Sequence, residues 1–531
     1  MRIVSIAGAA LAAVTLLATA ASGGAVQREG GTFRVASTVG LFQAIDPALY
    51  GLEGRLLRPA CAGLMSYPNK PLPAGLRLAP ELAEAHPRLS GDRRTYTFTI
   101  RRGARFSNGT TVGPRAFVQA LERMLDPKMK SFTAPIFESI VGAREMLAGN
   151  AATLAGAVAA GRTLRLRLVR PVPDFLARLT LLCAVPDALP ADPEGAKAPL
   201  HSPAPYYVSE YVPGERLVMA RNRFYRGERP RHLDRIEVDL KAGPAAIDDV
   251  ASGKLDWVVG TPDLNPRLGG LVRRYGINRR QLFVEPDVGI RMFFLNTSRP
   301  LFRDNAQLRQ AVSLAADRRA LVREYGQYAA TPTDQYLSSA FPGFRDERIY
   351  PLRGPDLRRA RALARGRTRS GRAVLYTCSD RPDCVAVAQI LQQNLKPIGL
   401  EVEIKQFPLP VMFQKLATPR EPYDITWVGI LHPWIDPQTF LEAFDGRKIG
   451  SPDGVNFSHF DSPRFNRLFD RASRLSGPAR YRAFGEIDVQ LARDEAPAVA
   501  AMIPNTWAFV SARTGCVVMN PSLDVTAVCL K

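Results

Sequence analysis

The chain has 531 residues, a formal net charge of +21, 46% hydrophobic residues and 23% charged residues. That is mass for several domains at an ordinary globular composition, which excludes a disordered or fibrous chain. The positive charge is mostly arginine spread along the whole sequence. A single basic stripe, the footprint of a nucleic-acid binder, is absent, so the charge reads as a solvated basic surface or an attraction to an anionic envelope or ligand.

The N-terminus has a short positive end, Met1-Arg2, then the small apolar run Ile3 to Leu17, then Ala18-Thr19-Ala20. This order predicts a secretory signal peptide, residues 1–20, removed after Ala20. A retained anchor is the competing reading, but the run is shorter than the ~20 residues that span a bilayer. The first cysteine is Cys61, so no lipid anchor on an N-terminal cysteine is expected, and the mature chain is expected to be periplasmic or secreted. No later stretch reaches about 18 uninterrupted apolar residues, so a transport role would need other chains to form the channel.

Alternation predicts strands over Gly31–Ser37, Tyr96–Arg101, Thr163–Leu168, Arg216–Ala220, Arg235–Leu240 and Glu401–Phe407. Ile290–Leu295 and Ala373–Tyr376 are short apolar runs of strand type. Helical patterns cover Leu52–Leu64, Pro114–Leu125, Asn305–Tyr325, Val385–Leu395, Pro463–Arg474 and Ala479–Asp494. Loops follow at Asn222–Pro230 and at Gly103–Gly109. Arg358–Arg372 reads as a surface stretch. The strand–helix–strand spacing from Ala373 to Phe407 predicts an α/β lobe.

Several segments, in this order, resemble the family 5 extracellular solute-binding proteins, the peptide-, nickel- and related binding components of ABC importers. They are Ala79–Glu84 with Tyr96–Thr110 and Ala116–Asp126; Ala204–Val208 with Arg221–Tyr225; Phe294–Thr297 with Leu308–Asp317; Ile398–Val402; Asp436-Pro437 with Phe440-Leu441; and Glu495–Pro497. The resemblance implies a two-lobed, periplasmic-binding-protein-like α/β fold of the large, three-subdomain type II form, with a ligand cleft between the lobes. Lobe I is expected over residues 30–285 plus 496–531, with an added subdomain over 53–200, and lobe II over 286–495. It further implies capture of a small solute by lobe closure, delivery to membrane permease subunits, no catalysis and a monomer.

Catalytic chemistry has little foothold in the sequence. No G-x-S-x-G elbow, phosphate-binding loop or H-E-x-x-H helix occurs. His86, His201, His232, His432 and His459 have no histidine partner at helical spacing, and no cysteine pair has zinc spacing, so neither metal nor cofactor is expected. Peptide-binding members of the family commonly place an aspartate three residues before the D-P pair, where it grips the peptide's amino group. Here the pair is Asp436-Pro437 and that position is Pro433, which offers neither a charge nor an N–H. The neighbours His432 and Trp434, with Trp427 on the preceding strand, are the expected ligand contacts, since aromatic faces suit flat, cationic or sugar-like groups. Trp427 and Trp434 as simple core aromatics is the alternative, and Trp507 reads as core between the lobes.

Six cysteines in an oxidising compartment predict disulfides. Cys378 and Cys384 bracket a short loop, and Cys516 and Cys529 flank a turn at Asn520-Pro521. Cys61 and Cys183 then remain, both within the proposed subdomain; buried free thiols are the alternative. Two other functions stay open at this stage: an exported basic protein binding polyanions, and a secreted enzyme.

Overall fold

The computed structural model describes residues 29–38, 44–49, 54–243, 245–259, 264–418, 420–431, 434–450 and 454–531. The expected signal peptide and His432 and Pro433 lie outside the described residues. The architecture is mixed α/β around one 12-stranded sheet. Thr32–Thr38 runs parallel to both Arg235–Ala242 and Trp257–Val259, in register Val35 to Val238 and Val35 to Trp257. Arg216–Arg221 and Tyr206–Val212 extend this half by antiparallel pairing. The other half holds Ile290–Leu295 antiparallel to Ile425–Ile430, then Arg372–Cys378 parallel to Glu401–Phe407. Helix Pro382–Leu395 makes the crossover between those parallel strands, the unit that the sequence predicts.

One strand joins the halves. Ala498–Val510 is 13 residues long. Its first part pairs with Ile290–Leu295, Phe294 opposite Ala498. Its second part pairs with Leu282–Pro286 and Trp257–Val259. The chain also crosses between the halves at residues 287–289, where Asp287 N–H donates to the Pro504 carbonyl at 2.9 Å. A neighbouring segment braces both crossings. Ser338 Oγ donates to the Asp287 carbonyl at 2.5 Å and Tyr336 Oη to the Ala498 carbonyl at 2.9 Å. Asp488 holds that brace from beneath, accepting from Tyr336 N–H at 2.7 Å and Gln335 Nε2 at 3.1 Å.

The apolar residues follow this division. One core gathers Val288 through Met502, including Phe293, Phe294, Trp427 and Phe440. Two smaller cores flank the first half-sheet, with Trp507 buried in one of them. A fourth core lies apart, under a four-stranded sheet formed by Arg88–Leu89, Thr95–Thr99, Thr163–Arg167 and Ala157–Ala160. Helix Arg115–Leu125 covers it with Phe117 and Leu121. A buried bidentate pair, Arg123 to Asp46 at 2.6 and 3.0 Å, ties this unit to residues 44–49, which follow the first strand of the main sheet.

All six cysteines are paired: Cys61–Cys183, Cys378–Cys384 and Cys516–Cys529, with Cα atoms 5.2, 5.5 and 5.4 Å apart. These are the pairings that chain geometry favours. Among the described residues no helix is long and apolar enough to cross a membrane.

Three expectations need correction. The helix expected over Leu52–Leu64 ends early: Gly54–Leu57 gives way to a tight turn Arg58–Ala60, and Cys61 is extended. Pro59 has no N–H to continue the ladder. The helix expected over Asn305–Tyr325 is two helices, Ala306–Ala315 and Arg318–Tyr325. The break lets Asp317 cap the second, accepting from Ala320 N–H at 3.0 Å. It also turns Arg318 inward, where Nε donates to the carbonyls of Thr333 and Ala500 at 3.0 and 2.8 Å. Lastly, the stretch Arg358–Arg372 is helical over Leu357–Ala364, capped by Asp356.

Candidate ligand-binding site

Strand Ile425–Ile430 delivers the chain to the loop that carries Trp434, and helix Pro437–Leu441 takes it away. Asp436 starts that helix by accepting from Gln438 N–H at 2.9 Å. The same carboxylate is gripped by Arg480, Nη2 to Oδ1 at 2.7 Å and Nε to Oδ2 at 3.2 Å. Both side chains are under a tenth exposed. Burial pushes the Asp436 carboxyl up and Arg480 pulls against it. The loop is thereby fixed at its C-terminal end by a buried ion pair.

Trp434 reaches out from this anchor to the separate four-stranded unit. Its Nε1 donates to Asp174 Oδ2 at 2.9 Å and to Thr439 Oγ1 at 3.0 Å. Arg178 donates to the same Asp174 oxygen at 3.0 Å and lays its guanidinium 4.8 Å from the indole centroid. Indole, carboxylate and guanidinium thus form a closed triangle between two parts of the chain. Hydrogen bonds run alongside it, from Tyr67 Oη to the Ile435 carbonyl at 2.7 Å and from Arg93 Nη1 to the Arg474 carbonyl at 2.7 Å. Beside the triangle, burial lifts the Glu442 carboxyl to about 7, with Lys448 opposing and Asp174 reinforcing the shift.

Trp427 is 2% exposed, with its ring 4.4 Å from that of Phe293 on the adjacent strand. Its Nε1 is buried and has no hydrogen-bond partner among the described residues. Two residue pairs along the same ladder, Arg291 stands opposite Gly429 and lays its guanidinium over the Tyr325 ring at 4.9 Å. The structure therefore does not gather the expected site residues into one cluster: Trp434 sits at the contact with the four-stranded unit and Trp427 in the core of its own half. Asp174, Arg178 and Arg480 had no place in the sequence reading. The i, i+4 spacing of Asp174 and Arg178 was the one available signal.

Residues 77–451 match the family described as bacterial extracellular solute-binding proteins, family 5 middle. The chain belongs to this family. The oligopeptide-binding protein OppA of Bacillus subtilis (strain 168) is 26% identical over 411 residues, 72% of each chain. Among solved structures, the clavulanic acid biosynthesis oligopeptide binding protein 2 is 23% identical with a TM-score of 0.80, covering 95% of this chain and 96% of that one. The murein tripeptide binding protein MppA in its unliganded open form is 19% identical with a TM-score of 0.78, covering 95% and 99%. At these identities the structural likeness establishes a shared fold.

Proposed function

We propose that this chain is the exported solute-binding component of an ABC importer, taking up a peptide-like solute between two lobes and presenting it to permease subunits in the membrane. The observation that carries this reading is the match to one solute-binding family over residues 77–451. The names of the relatives, oligopeptide- and murein peptide-binding proteins, supply the ligand class. The lobes in this reading are residues 30–285 with 496–531 and residues 286–495, the added subdomain being 53–200. Paired crossings at residues 287–289 and in Ala498–Val510 suit a hinge, because two short connections absorb a rotation that packed cores resist. Solute capture is then a population shift toward the closed arrangement, driven by contacts that only the closed form makes. The protein works as a monomer in the periplasm or outside the cell, without cofactor or catalysis.

Within the cleft, His432, Trp434 and, once the packing over its buried ring opens, Trp427 contact the solute. Trp427 brings an indole N–H that lacks a partner among the described residues, and Trp434 an aromatic ring already fixed by Asp174. Because Pro433 stands where an amino-gripping aspartate is common, the solute is held by its body rather than through a free amino terminus. Native mass spectrometry of the purified protein identifies any solute carried through purification, and calorimetry with peptides of two to five residues, amino ends free or acetylated, tests the class. Comparable affinity for free and acetylated forms is the expected result. Failure of every peptide to bind, with no peptide-like species in the native spectrum, would overturn the ligand class. Tight binding of unrelated dipeptides that acetylation abolishes would overturn the role given to Pro433.

A further inference from the structure

A cavity of about 260 Å³ opens on the side of the four-stranded unit, between residues 62–82, the turn Arg101–Arg105 and the loop Tyr225–Pro230. None of its lining residues comes from 286–495, whereas the proposed cleft needs walls from both lobes. Six cations line it: Lys70, Arg101, Arg102, Arg105, Arg226 and Arg229. Two of these are matched by acids. Arg229 donates to Glu81 at 3.0 Å, and Arg101 to the exposed Glu228 at 3.2 Å. Lys70, Arg102, Arg105 and Arg226 have no carboxylate partner among the described residues. Arg105 and Arg226 donate only to carbonyls of their own turns, those of Gly109, Arg223 and Tyr225. Four uncompensated positive charges from three separate segments therefore face one small space.

A basic rim scattered over a convex surface is the ordinary fate of arginine in a chain of this charge. Here the cations converge on a concavity whose floor is rigid. Arg229 also donates to the carbonyls of Arg58 and Cys61 at 2.6 and 2.8 Å, and Glu81 accepts from Gly63 N–H at 2.9 Å. The Cys61–Cys183 bridge pins the same point. Ala62, Pro80, Leu82 and Pro203 supply apolar walls, which strengthen any charge pairing inside. Guanidinium forks match the planar oxygen pairs of carboxylate and phosphate groups.

We propose that this cavity binds a small multivalent oxyanion, a phosphorylated or polycarboxylate compound, independently of the solute in the cleft. Calorimetry at fixed ionic strength with pyrophosphate and with citrate tests it, with acetate and chloride as monovalent controls. The expected result is saturable one-to-one binding of at least one of the two, with pyrophosphate preferred if phosphate is the natural group and citrate if carboxylate is. The double variant Arg102→Gln/Arg105→Gln is expected to bind at least about tenfold more weakly, and Glu228→Gln more tightly. Both changes lie on exposed side chains, and melting in chloride reports that the variants fold. The proposal is overturned if neither multivalent anion saturates the wild type, or if the double variant binds them equally well. Peptide binding in the cleft should be indifferent to these substitutions.

Discussion

Asp488 lies wholly buried under the segment that braces both crossings, and burial lifts its carboxyl from 3.8 to about 7. Hydrogen bonds from Tyr336, Gln335 and Leu337 favour the charged form but do not cancel the desolvation, and Asp334 adds repulsion. In the unfolded chain the group titrates near its ordinary value. The folded state therefore holds the proton more tightly, and stability from this group is full below about pH 4 and lost as pH rises through about 7. At about 1.36 kcal/mol per pH unit, the loss amounts to about 4 kcal/mol across that window. Asp488→Asn cannot ionise and should show none of it. Its amide must re-pair with Gln335, which adds an offset independent of pH, so the informative quantity is the slope. Urea denaturation of both proteins at about pH 5 and about pH 8 measures it. The variant is expected to gain on the wild type by about 1.5–3 kcal/mol between those points. A difference that stays flat with pH would show that Asp488 keeps an ordinary carboxylate's titration, and the argument from burial would fall.

Asp436→Asn should destabilise by about 3–5 kcal/mol in chemical denaturation, because Arg480 is left buried without its counter-charge; a loss below about 1 kcal/mol would mean that the pair is already solvated. Trp434→Ala should weaken solute binding by more than about 1 kcal/mol, and Trp434→Phe, which keeps the ring and loses the N–H to Asp174, should fall between it and the wild type; calorimetry on a peptide bound by the wild type reads both, and unchanged affinity with a lowered melting temperature would make the residue packing alone. Trp427→Phe removes a buried donor that has no partner among the described residues, so unfolding should show stability kept or raised, while a drop in solute affinity would mark the N–H as a ligand contact. Replacing Cys61 and Cys183 by serine opens a link between residues 122 apart in sequence and should remove about 3–5 kcal/mol, measured against the wild type with its disulfides intact.

The parts of the fold legible in the sequence are those with a clean period. Glu401–Phe407 alternates, Ile290–Leu295 is a bounded apolar run, and the crossover helix between Arg372–Cys378 and Glu401–Phe407 has helical spacing. The strand that joins the halves does not alternate, because Ala498–Val510 is covered on both faces for most of its length, and Pro504 breaks its reading as a strand. The split at Ala316 was invisible for another reason: the helical period runs on through it, and what breaks the helix is a distant demand, carbonyls at Thr333 and Ala500 that draw Arg318 inside. At the candidate site the tryptophans could be named from their place before Asp436-Pro437. Their partners could not, since Asp174 stands 260 residues from Trp434 in sequence. Locally, only its i, i+4 spacing from Arg178 marks that aspartate.

The joining strand follows every other strand of the main sheet in sequence, yet it occupies the middle of that sheet. Neither half can close its hydrogen-bond ladder, or bury the inner faces of Leu282–Pro286 and Ile290–Leu295, until residues 498–510 arrive. A chain made as far as residue 497 holds every other strand of the main sheet and lacks the one that joins its halves. The two halves then close together, when that one strand pairs with both.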